Sequence, residues 1–221
     1  MTDRRSTLRL FVLLPVLLGV FARTAPAAVK PAAAASAKPA HAYLAGGCFW
    51  STESAFEGVK GVKSVVSGYT GGTEKNPSYE EVSSGLTGHY ESVDITYDPA
   101  KISYDKLLDI YWHNIDPMQQ NGQFCDHGRN YRTAIFTLDS AQAEQARASK
   151  RTIEASKVLK APIVTQILPA GAFWPAEEYH QDFAARNPEH YHAYRVGCGR
   201  DARLDEIWGK DARRGSVPHT F

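Results

Sequence analysis

Cysteine is scarce in this sequence, with three residues in 221. Three are too few for a disulfide-stapled scaffold, and their spacing contains no C-x-x-C pair of the zinc-ribbon kind. An excess of charge of one sign is also absent, because 25 Lys and Arg stand against 24 Asp and Glu. This balance excludes a protein that coats nucleic acid, whose basic residues would dominate the composition. The 43% of hydrophobic residues suffices for one substantial core.

The first forty residues differ from the rest of the chain. A basic start (Arg4, Arg5, Arg9) leads into an apolar run over 10–21 and then into Ala25-Pro26-Ala27. This pattern is typical of a secretory signal peptide, and the run is shorter than the ~20 apolar residues that span a bilayer. An uncleaved anchor is the lesser alternative, and the export route stays open. We predict a signal peptide over 1–27, a flexible Ala/Pro-rich linker over 28–40, a periplasmic or secreted protein, and no stable membrane association after cleavage.

The remaining chain predicts one domain over 41–208 and a C-terminal tail over 209–221. Strand-like and helix-like segments alternate, which indicates an α+β fold with helices packed on a mixed sheet. The segment 115–130 shows no periodicity, and loops of that length are often functional. The predicted strands are 42–45, 62–69, 92–97, 133–138 and 163–168, and the predicted helices are 104–114, 141–159 and one from Pro175 to about Asn187.

The most informative stretch is Gly46-Gly47-Cys48-Phe49-Trp50. It lies between a predicted strand and a short predicted helix, so the glycines would form a turn and Cys48 would lie at the helix N-terminus. The helix dipole there favours a thiolate and lowers the pKa of a cysteine. Phe49 and Trp50 would offer an apolar wall to a methyl or thioether group. The simpler alternative is that Cys48 is only a small buried hydrophobic residue.

A second candidate group lies at the start of the third predicted strand. Because strand side chains alternate, Glu91 shares a face with Val93 and Ile95. A carboxyl group beside an apolar face is desolvated, stays protonated near neutral pH and can donate a proton. The alternative is that Glu91 precedes the buried part of the strand and is solvated.

The other two cysteines, Cys125 and Cys198, flank the second half of the domain. Cys125 precedes Asp126 in the long loop, and Cys198 lies between two glycines. A zinc site made of Cys125, His127 and Cys198 matches the spacing of no standard zinc module. We therefore predict no metal.

These motifs together resemble the A-type peptide methionine sulfoxide reductases. The resemblance spans residue 44 to about residue 187 in order, which makes it far more specific than any single motif. The matching segments are Gly46 to Trp50, Ser67-Gly68-Tyr69 with Gly71-Gly72, Asn76-Pro77-Ser78-Tyr79 with Val82 and Ser84-Gly85, Gly88-His89 with Glu91, Tyr97-Asp98-Pro99, Asp126 with Gly128 and Tyr131-Arg132, and Ala176-Glu177 with His180-Gln181.

The resemblance implies a ferredoxin-like α+β fold and reduction of the S epimer of methionine sulfoxide, free or protein-bound. Cys48 would attack the sulfoxide sulfur and become a sulfenic acid, and Glu91 would protonate the oxygen. Cys198 would resolve the sulfenic acid as a disulfide, with Cys125 as the alternative, and a thioredoxin-like reductant would regenerate the thiols. No cofactor is required, and we expect a monomer. The resemblance further assigns Phe49 and Trp50 to the substrate's methyl group, Tyr79 and Tyr131 to hydrogen bonds with the oxygen, and Asp126 to support of the site.

Two other classes of protein remain open at this point. A cysteine hydrolase would pair Cys48 with a histidine base, either His89 or His180, oriented by Asp126 or Asn187. An exported binding module would instead lock Cys48 and Cys198 in a structural disulfide.

Overall fold

The computed structural model of the protein describes residues 38–218. The predicted signal peptide and most of the predicted linker lie outside these residues. The first strand, β1 (Ala40–Gly46), begins one residue before the predicted start of the domain, because Ala40 pairs with Tyr97. In the described residues, no helix has the length and apolar character needed to cross a membrane.

A six-stranded mixed sheet forms the centre of the fold. Its strands are β1, β2 (Val62–Thr70), β3 (Tyr90–Tyr97), β6 (Thr133–Thr137), β7 (Gln166–Pro169) and β8 (Trp174–Pro175). They lie in the order β7-β6-β1-β3-β2-β8, and β6 and β7 form the only parallel pair among them. The two-residue strands β4 (Gly122–Gln123) and β5 (Asp126–His127) pair within the long loop. The predicted mixed sheet and α+β class are confirmed.

The helices are α1 (Phe49–Phe56), α2 (Tyr79–Ser83), α3 (Tyr104–Trp112), α4 (Ser140–Ser156), α5 (Phe183–Arg186), α6 (Pro188–Gly197) and α7 (Arg200–Trp208). Side-chain caps start three of them: the Asp139 carboxylate accepts the Gln142 amide at 2.8 Å, the Ser103 hydroxyl accepts the Lys106 amide at 3.2 Å, and the Ser78 hydroxyl accepts the Glu81 amide at 3.3 Å. The apolar faces of α1 and α3 share one core with β1 and β3. This packing fixes the position of α1, which begins directly after Cys48.

The helix predicted from Pro175 is wrong. Pro175 lies in the edge strand β8, and the following residues form only a 3₁₀ turn at Glu178–His180 and the short helix α5. Asp182, in the left-handed region at φ 51°, separates that turn from α5. The helices α6 and α7 were not predicted. Residues of the predicted tail also pack on the domain, because the Arg213 amide donates to the His113 carbonyl at 2.9 Å.

Candidate active site

The turn before α1 positions Cys48. Gly47 has φ 86°, and a Cβ at this residue would lie 2.5 Å from the Cβ of Gln123, so only glycine fits. Cys48 is the residue before the first helical residue, and its carbonyl accepts the Ser51 amide at 3.1 Å. Its side chain is buried, with 7% of the residue exposed. The predicted placement of Cys48 at a helix N-terminus is therefore observed.

The acidity of Cys48 differs from the expectation. Burial raises the pKa of its thiol well above the ordinary value, and the nearby carboxylates of Glu91 and Asp126 raise it further. Hydrogen bonds from the Tyr194 hydroxyl and the Trp50 amide oppose this rise without cancelling it. Desolvation outweighs the helix dipole here, because the dipole acts on a group that has lost its water. At neutral pH Cys48 is therefore a thiol rather than a thiolate.

Glu91 lies next to Cys48 and is almost completely buried, with 1% of the residue exposed. Its Oε2 accepts a 3.0 Å hydrogen bond from the Phe49 amide. Burial raises its pKa to about 8, while the bonds from Phe49 and from the Tyr131 side chain oppose that rise. The solvated alternative is wrong. Glu91 is mostly protonated at neutral pH and can donate a proton.

Aromatic side chains line one side of the site. Phe49 is buried, and its ring centroid lies 4.9 Å from that of His180. The half-buried Trp50 stacks on Phe183 at 3.7 Å with the rings nearly parallel, and its Nε1 donates to His180 Nδ1 at 3.1 Å. The orientation of Trp50 is therefore fixed by a stack and a hydrogen bond, and an apolar wall stands beside the sulfur.

Two tyrosines face Glu91 and Cys48 from other elements. Tyr79 begins α2, and its amide donates to Glu177 Oε1 at 2.9 Å. The other oxygen of Glu177 accepts the Tyr69 hydroxyl at 2.8 Å. Burial and the charge of Glu91 raise the pKa of Tyr79 to about 12 and raise that of Tyr131 as well. Both phenols are protonated at neutral pH and can donate hydrogen bonds into the site.

Asp126 joins the nucleophile region to the other two cysteines. Its Oδ2 accepts the Tyr194 hydroxyl at 2.5 Å, and that hydroxyl also interacts with Cys48. Cys125 and Cys198 form a disulfide with their Cα atoms 4.9 Å apart. The Cys198 sulfur lies 3.9 Å from Asp126 Oδ2, and the Cys125 sulfur lies 3.9 Å from Oδ1. The three cysteines therefore converge on one carboxylate.

This disulfide decides two sequence-based alternatives. Cys48 is a free thiol, so a structural Cys48–Cys198 disulfide, as the binding-module interpretation requires, is wrong. A zinc site with Cys125 and Cys198 as ligands is excluded in this state, because a disulfide offers no thiolate. The sulfurs of Cys125 and Cys198 are bonded to each other, beside the Asp126 carboxylate that also interacts with Cys48.

The histidines do not support a hydrolase. His180 Nδ1 accepts the Trp50 indole, which leaves the ring as part of the aromatic wall. His89 is buried just before β3, with Nδ1 3.6 Å from Glu74. Cys48 instead has a carboxyl group and a phenol as neighbours. A histidine base on Cys48, which the hydrolase interpretation needs, is not among these contacts.

Two side chains of the site had no predicted role. Tyr194 contacts both Asp126 and the nucleophile, and Glu177 holds Tyr69 and the start of α2. A signal for Tyr194 was present, because it precedes Cys198 by four residues and would share a helix face with it. Glu177 lies in the matching segment Ala176-Glu177, but that segment indicated no partner for it, because its partners lie about one hundred residues away.

The chain matches the family model described as peptide methionine sulfoxide reductase over residues 40–212. It is 51% identical over 202 residues to the peptide methionine sulfoxide reductase MsrA 2 of Caulobacter vibrioides, covering 91% of this chain and 98% of that protein. It is 49% identical over 174 residues to MsrA of Bacillus subtilis, covering 79% and 98%.

Two solved structures resemble the fold. Reduced Mxr1 from Saccharomyces cerevisiae superimposes with a TM-score of 0.65 at 30% identity, over 69% of this chain and 88% of that chain. Methionine sulfoxide reductase A of Corynebacterium diphtheriae gives a TM-score of 0.61 at 33% identity, over 68% and 76%.

Proposed function

This chain belongs to the peptide methionine sulfoxide reductase family, and from that membership we propose that Cys48 reduces the S epimer of methionine sulfoxide, free or in proteins, to methionine. The observation that carries the proposal is the pairing of Cys48 with Glu91. A nucleophilic sulfur stands beside a buried carboxyl group that is protonated at neutral pH, with an aromatic wall next to both. Reduction of a sulfoxide needs all three: a nucleophile for sulfur, a proton for oxygen and an apolar site for the methyl group.

The chemistry follows from these positions. The Cys48 sulfur attacks the sulfoxide sulfur while Glu91 delivers a proton to the oxygen, and Tyr79 and Tyr131 donate hydrogen bonds to it. The thiol proton of Cys48 is released as the new sulfur–sulfur bond forms, and it replaces the proton that Glu91 gave up. The hydroxyl group then passes from the substrate sulfur to the Cys48 sulfur: the sulfur–oxygen bond of the substrate and the transient sulfur–sulfur bond break, and methionine is released. Cys48 is left as a sulfenic acid, so the substrate is reduced by two electrons and Cys48 is oxidised by two.

The disulfide supports an order for the next two steps. Cys198 lies beside the Asp126 oxygen that accepts Tyr194, whose hydroxyl reaches Cys48, so Cys198 is the thiol on the nucleophile side. It displaces water from the sulfenic acid and forms a Cys48–Cys198 disulfide. Cys125 then attacks Cys198, which frees Cys48 and leaves the observed Cys125–Cys198 bond. In this order of steps Cys198 and Cys125, the two predicted candidates for the resolving cysteine, both take part.

A thioredoxin-like dithiol completes the cycle by reducing the Cys125–Cys198 bond. Cys125 is exposed and Cys198 is half-buried, so the sulfur of Cys125 is open to attack by an external thiol.

We further propose that residues 1–27 direct export and are removed, and that the remaining chain acts as a soluble monomer in the periplasm or outside the cell. The basic start, the apolar run and the Ala25-Pro26-Ala27 site support this. The N-terminal sequence of the protein recovered from fractionated cells tests it, and a cytoplasmic protein starting at Met1 would contradict it.

The activity is tested with N-acetyl-methionine sulfoxide of each epimer, excess dithiothreitol and chromatographic measurement of the methionine formed. We expect turnover of the S epimer only, and no turnover by Cys48→Ser. Reduction of the R epimer alone, or full activity of Cys48→Ser, would overturn the proposal. Hydrolysis of an ester by the same preparation, lost in Cys48→Ser, would instead restore the hydrolase interpretation.

A further inference from the structure

Arg200, the first residue of α7, is a buried cation whose hydrogen bonds go to neutral groups. Only 2% of the residue is exposed. Its Nη1 donates to the Asn114 carbonyl and its Nη2 to the Gly46 carbonyl, both at 3.1 Å, while its Nε has no partner. A buried charge without a counter-ion costs several kcal/mol. The dipole of α7 adds to this cost, because a positive charge is unfavourable in the first turn of a helix.

Neighbouring arginines are held differently. Arg195 donates to both oxygens of Asp201 at 2.9 and 2.6 Å, and Arg203 bonds the carboxylate of Asp116 at 2.8 Å. Both are more exposed than Arg200. The most deeply buried of the three is therefore the one that lacks a carboxylate, which indicates that its counter-ion is a group that becomes anionic only during the reaction.

The guanidinium lies against the turn that carries the nucleophile. A Cβ built on Gly47 would be 3.3 Å from Nη2, and Gly46, whose carbonyl Nη2 holds, is two residues before Cys48. Burial lowers the pKa of Arg200, while the charges that Tyr194, Tyr191 and, least strongly, Cys48 carry when ionised act in the opposite direction. Coupling between two charges is reciprocal, so the guanidinium stabilises the thiolate by the same amount.

The other titratable groups that act on Cys48 are acids and phenols from five separate segments. Arg200 differs from these acids and phenols because it carries a positive charge. Arg195 also faces Arg200, but its charge is balanced by Asp201. The groups coupled to Cys48 include Glu91, Asp126, Tyr79, Tyr131, Tyr194 and Arg200.

We propose that Arg200 is a positioning residue that supplies the buried positive charge against which the Cys48 thiolate forms. Its place is secured by the disulfide: the guanidinium lies 4.2 Å from the centre of the Phe124 ring, Cys125 follows Phe124, and Cys198 precedes Arg200 by two residues. The Cys125–Cys198 disulfide therefore links the segment that carries Phe124 to the segment that carries Arg200, and the Phe124 ring contacts the guanidinium.

The proposal rests on the proposed function only in making Cys48 the nucleophile, and its test measures the thiolate without any sulfoxide. In the full chain with its disulfide intact, Cys48 is the single free thiol. The rate of its alkylation by iodoacetamide is followed by intact mass from about pH 7 to about pH 9, because only the thiolate reacts. The variants are Arg200→Gln and Arg200→Lys, with Arg203→Gln as the matched control that removes a paired charge from the same helix.

We expect Arg200→Gln to lower the alkylation rate roughly tenfold at each pH, as loss of one nearby opposite charge predicts. Arg203→Gln should match the wild type, and Arg200→Lys, which keeps the charge, should lie within about threefold of it. A wild-type profile for Arg200→Gln, or equal losses in Arg200→Gln and Arg200→Lys, would overturn the proposal. If Arg200→Gln does not fold, Arg200→Met takes its place as the variant that removes the charge, with the same expected tenfold loss, and a wild-type rate for Arg200→Met or a tenfold loss in Arg200→Lys refutes the proposal. Sulfoxide reduction by the wild type is unaffected by either result.

Discussion

The Phe49 amide donates a 3.0 Å hydrogen bond to the buried carboxyl group of Glu91. This bond ties the residue that follows the nucleophile to the group that acts as the acid. Glu91 therefore has Oε2 engaged with the helix N-terminus, and its carboxyl group also interacts with the side chain of Tyr131. The hydrogen bond from the Phe49 backbone amide holds the Glu91 carboxyl group near the Cys48 sulfur, and no mobile side chain is needed as a link.

Replacing Glu91 separates its hydrogen bonds from its charge. Glu91→Gln keeps an acceptor for the Phe49 amide and a donor for the sulfoxide oxygen, so we expect kcat within about tenfold of the wild type. Glu91→Ala loses both and should lower kcat by roughly 100-fold or more. Steady-state reduction of the S epimer measures both values. Equal rates for the two variants would remove the proton-donor role.

Glu91 also makes stability depend on pH. Its pKa is raised from the ordinary value of 4.5 to about 8 in the folded protein, so the unfolded chain binds fewer protons between these values. Its contribution is fully present below pH 4.5 and is lost as pH rises to about 8, with a slope of about −1.4 kcal/mol per pH unit. Urea unfolding gives the free energy of unfolding of the wild type and of Glu91→Gln across this pH range. The free energy of the wild type should fall with pH by this additional slope, and that of the variant should not. Parallel curves would contradict a buried, protonated Glu91.

The proposed order of disulfides predicts a stoichiometry. Fully reduced enzyme, mixed with excess sulfoxide and no reductant, should form two methionines: one ends as the Cys125–Cys198 bond and the second as a Cys48 sulfenic acid. Cys125→Ser should form one and stop as a Cys48–Cys198 disulfide. Cys198→Ser should form one and leave a sulfenic acid that dimedone traps. A Cys48–Cys125 disulfide in Cys198→Ser, found by peptide mapping, would show that Cys125 resolves directly.

Glu177 holds the start of α2 through the Tyr79 amide and holds Tyr69 through its hydroxyl. We expect Glu177→Ala to lower kcat/KM by roughly tenfold, because hydrogen bonds to a charged group contribute about 1.5 to 3 kcal/mol and Tyr79 loses its anchor. Glu177→Gln retains an acceptor and should lose less. Glu178→Ala, at an exposed neighbouring carboxylate, is the control and should match the wild type. Unchanged kcat/KM in Glu177→Ala would show that Tyr79 needs no such support.

Five of the six strands of the sheet were predictable, because each of the five is a short apolar run bounded by turn residues. The C-terminal part was not, because its structure depends on tertiary contacts. Pro175 at the start of an acidic segment resembles a helix start, yet Trp174 pairs with Tyr69 as an edge strand. Helix α6 begins at Pro188 and helix α7 directly follows Gly199, and neither was predicted.

Within the site, the sequence indicated residue types and order but not burial. The Gly46-Gly47-Cys48 turn correctly predicted a helix N-terminus. The pKa of the Cys48 thiol was expected to be lowered there, but it is raised because the site is desolvated. Arg200 is more than 150 residues from Cys48 and follows a glycine in a polar stretch, so no local pattern connects the two. Long-range partners of this kind become visible only when the chain is folded.

The Cys125–Cys198 bond spans 73 residues of sequence, and a covalent loop of that size restricts the unfolded chain. Such a link stabilises a folded protein by roughly 4 kcal/mol. In the proposed cycle this bond forms and breaks at every turnover, so the free energy of unfolding rises and falls with it. The freshly reduced enzyme, the form ready for substrate, is therefore also the form most exposed to proteolysis.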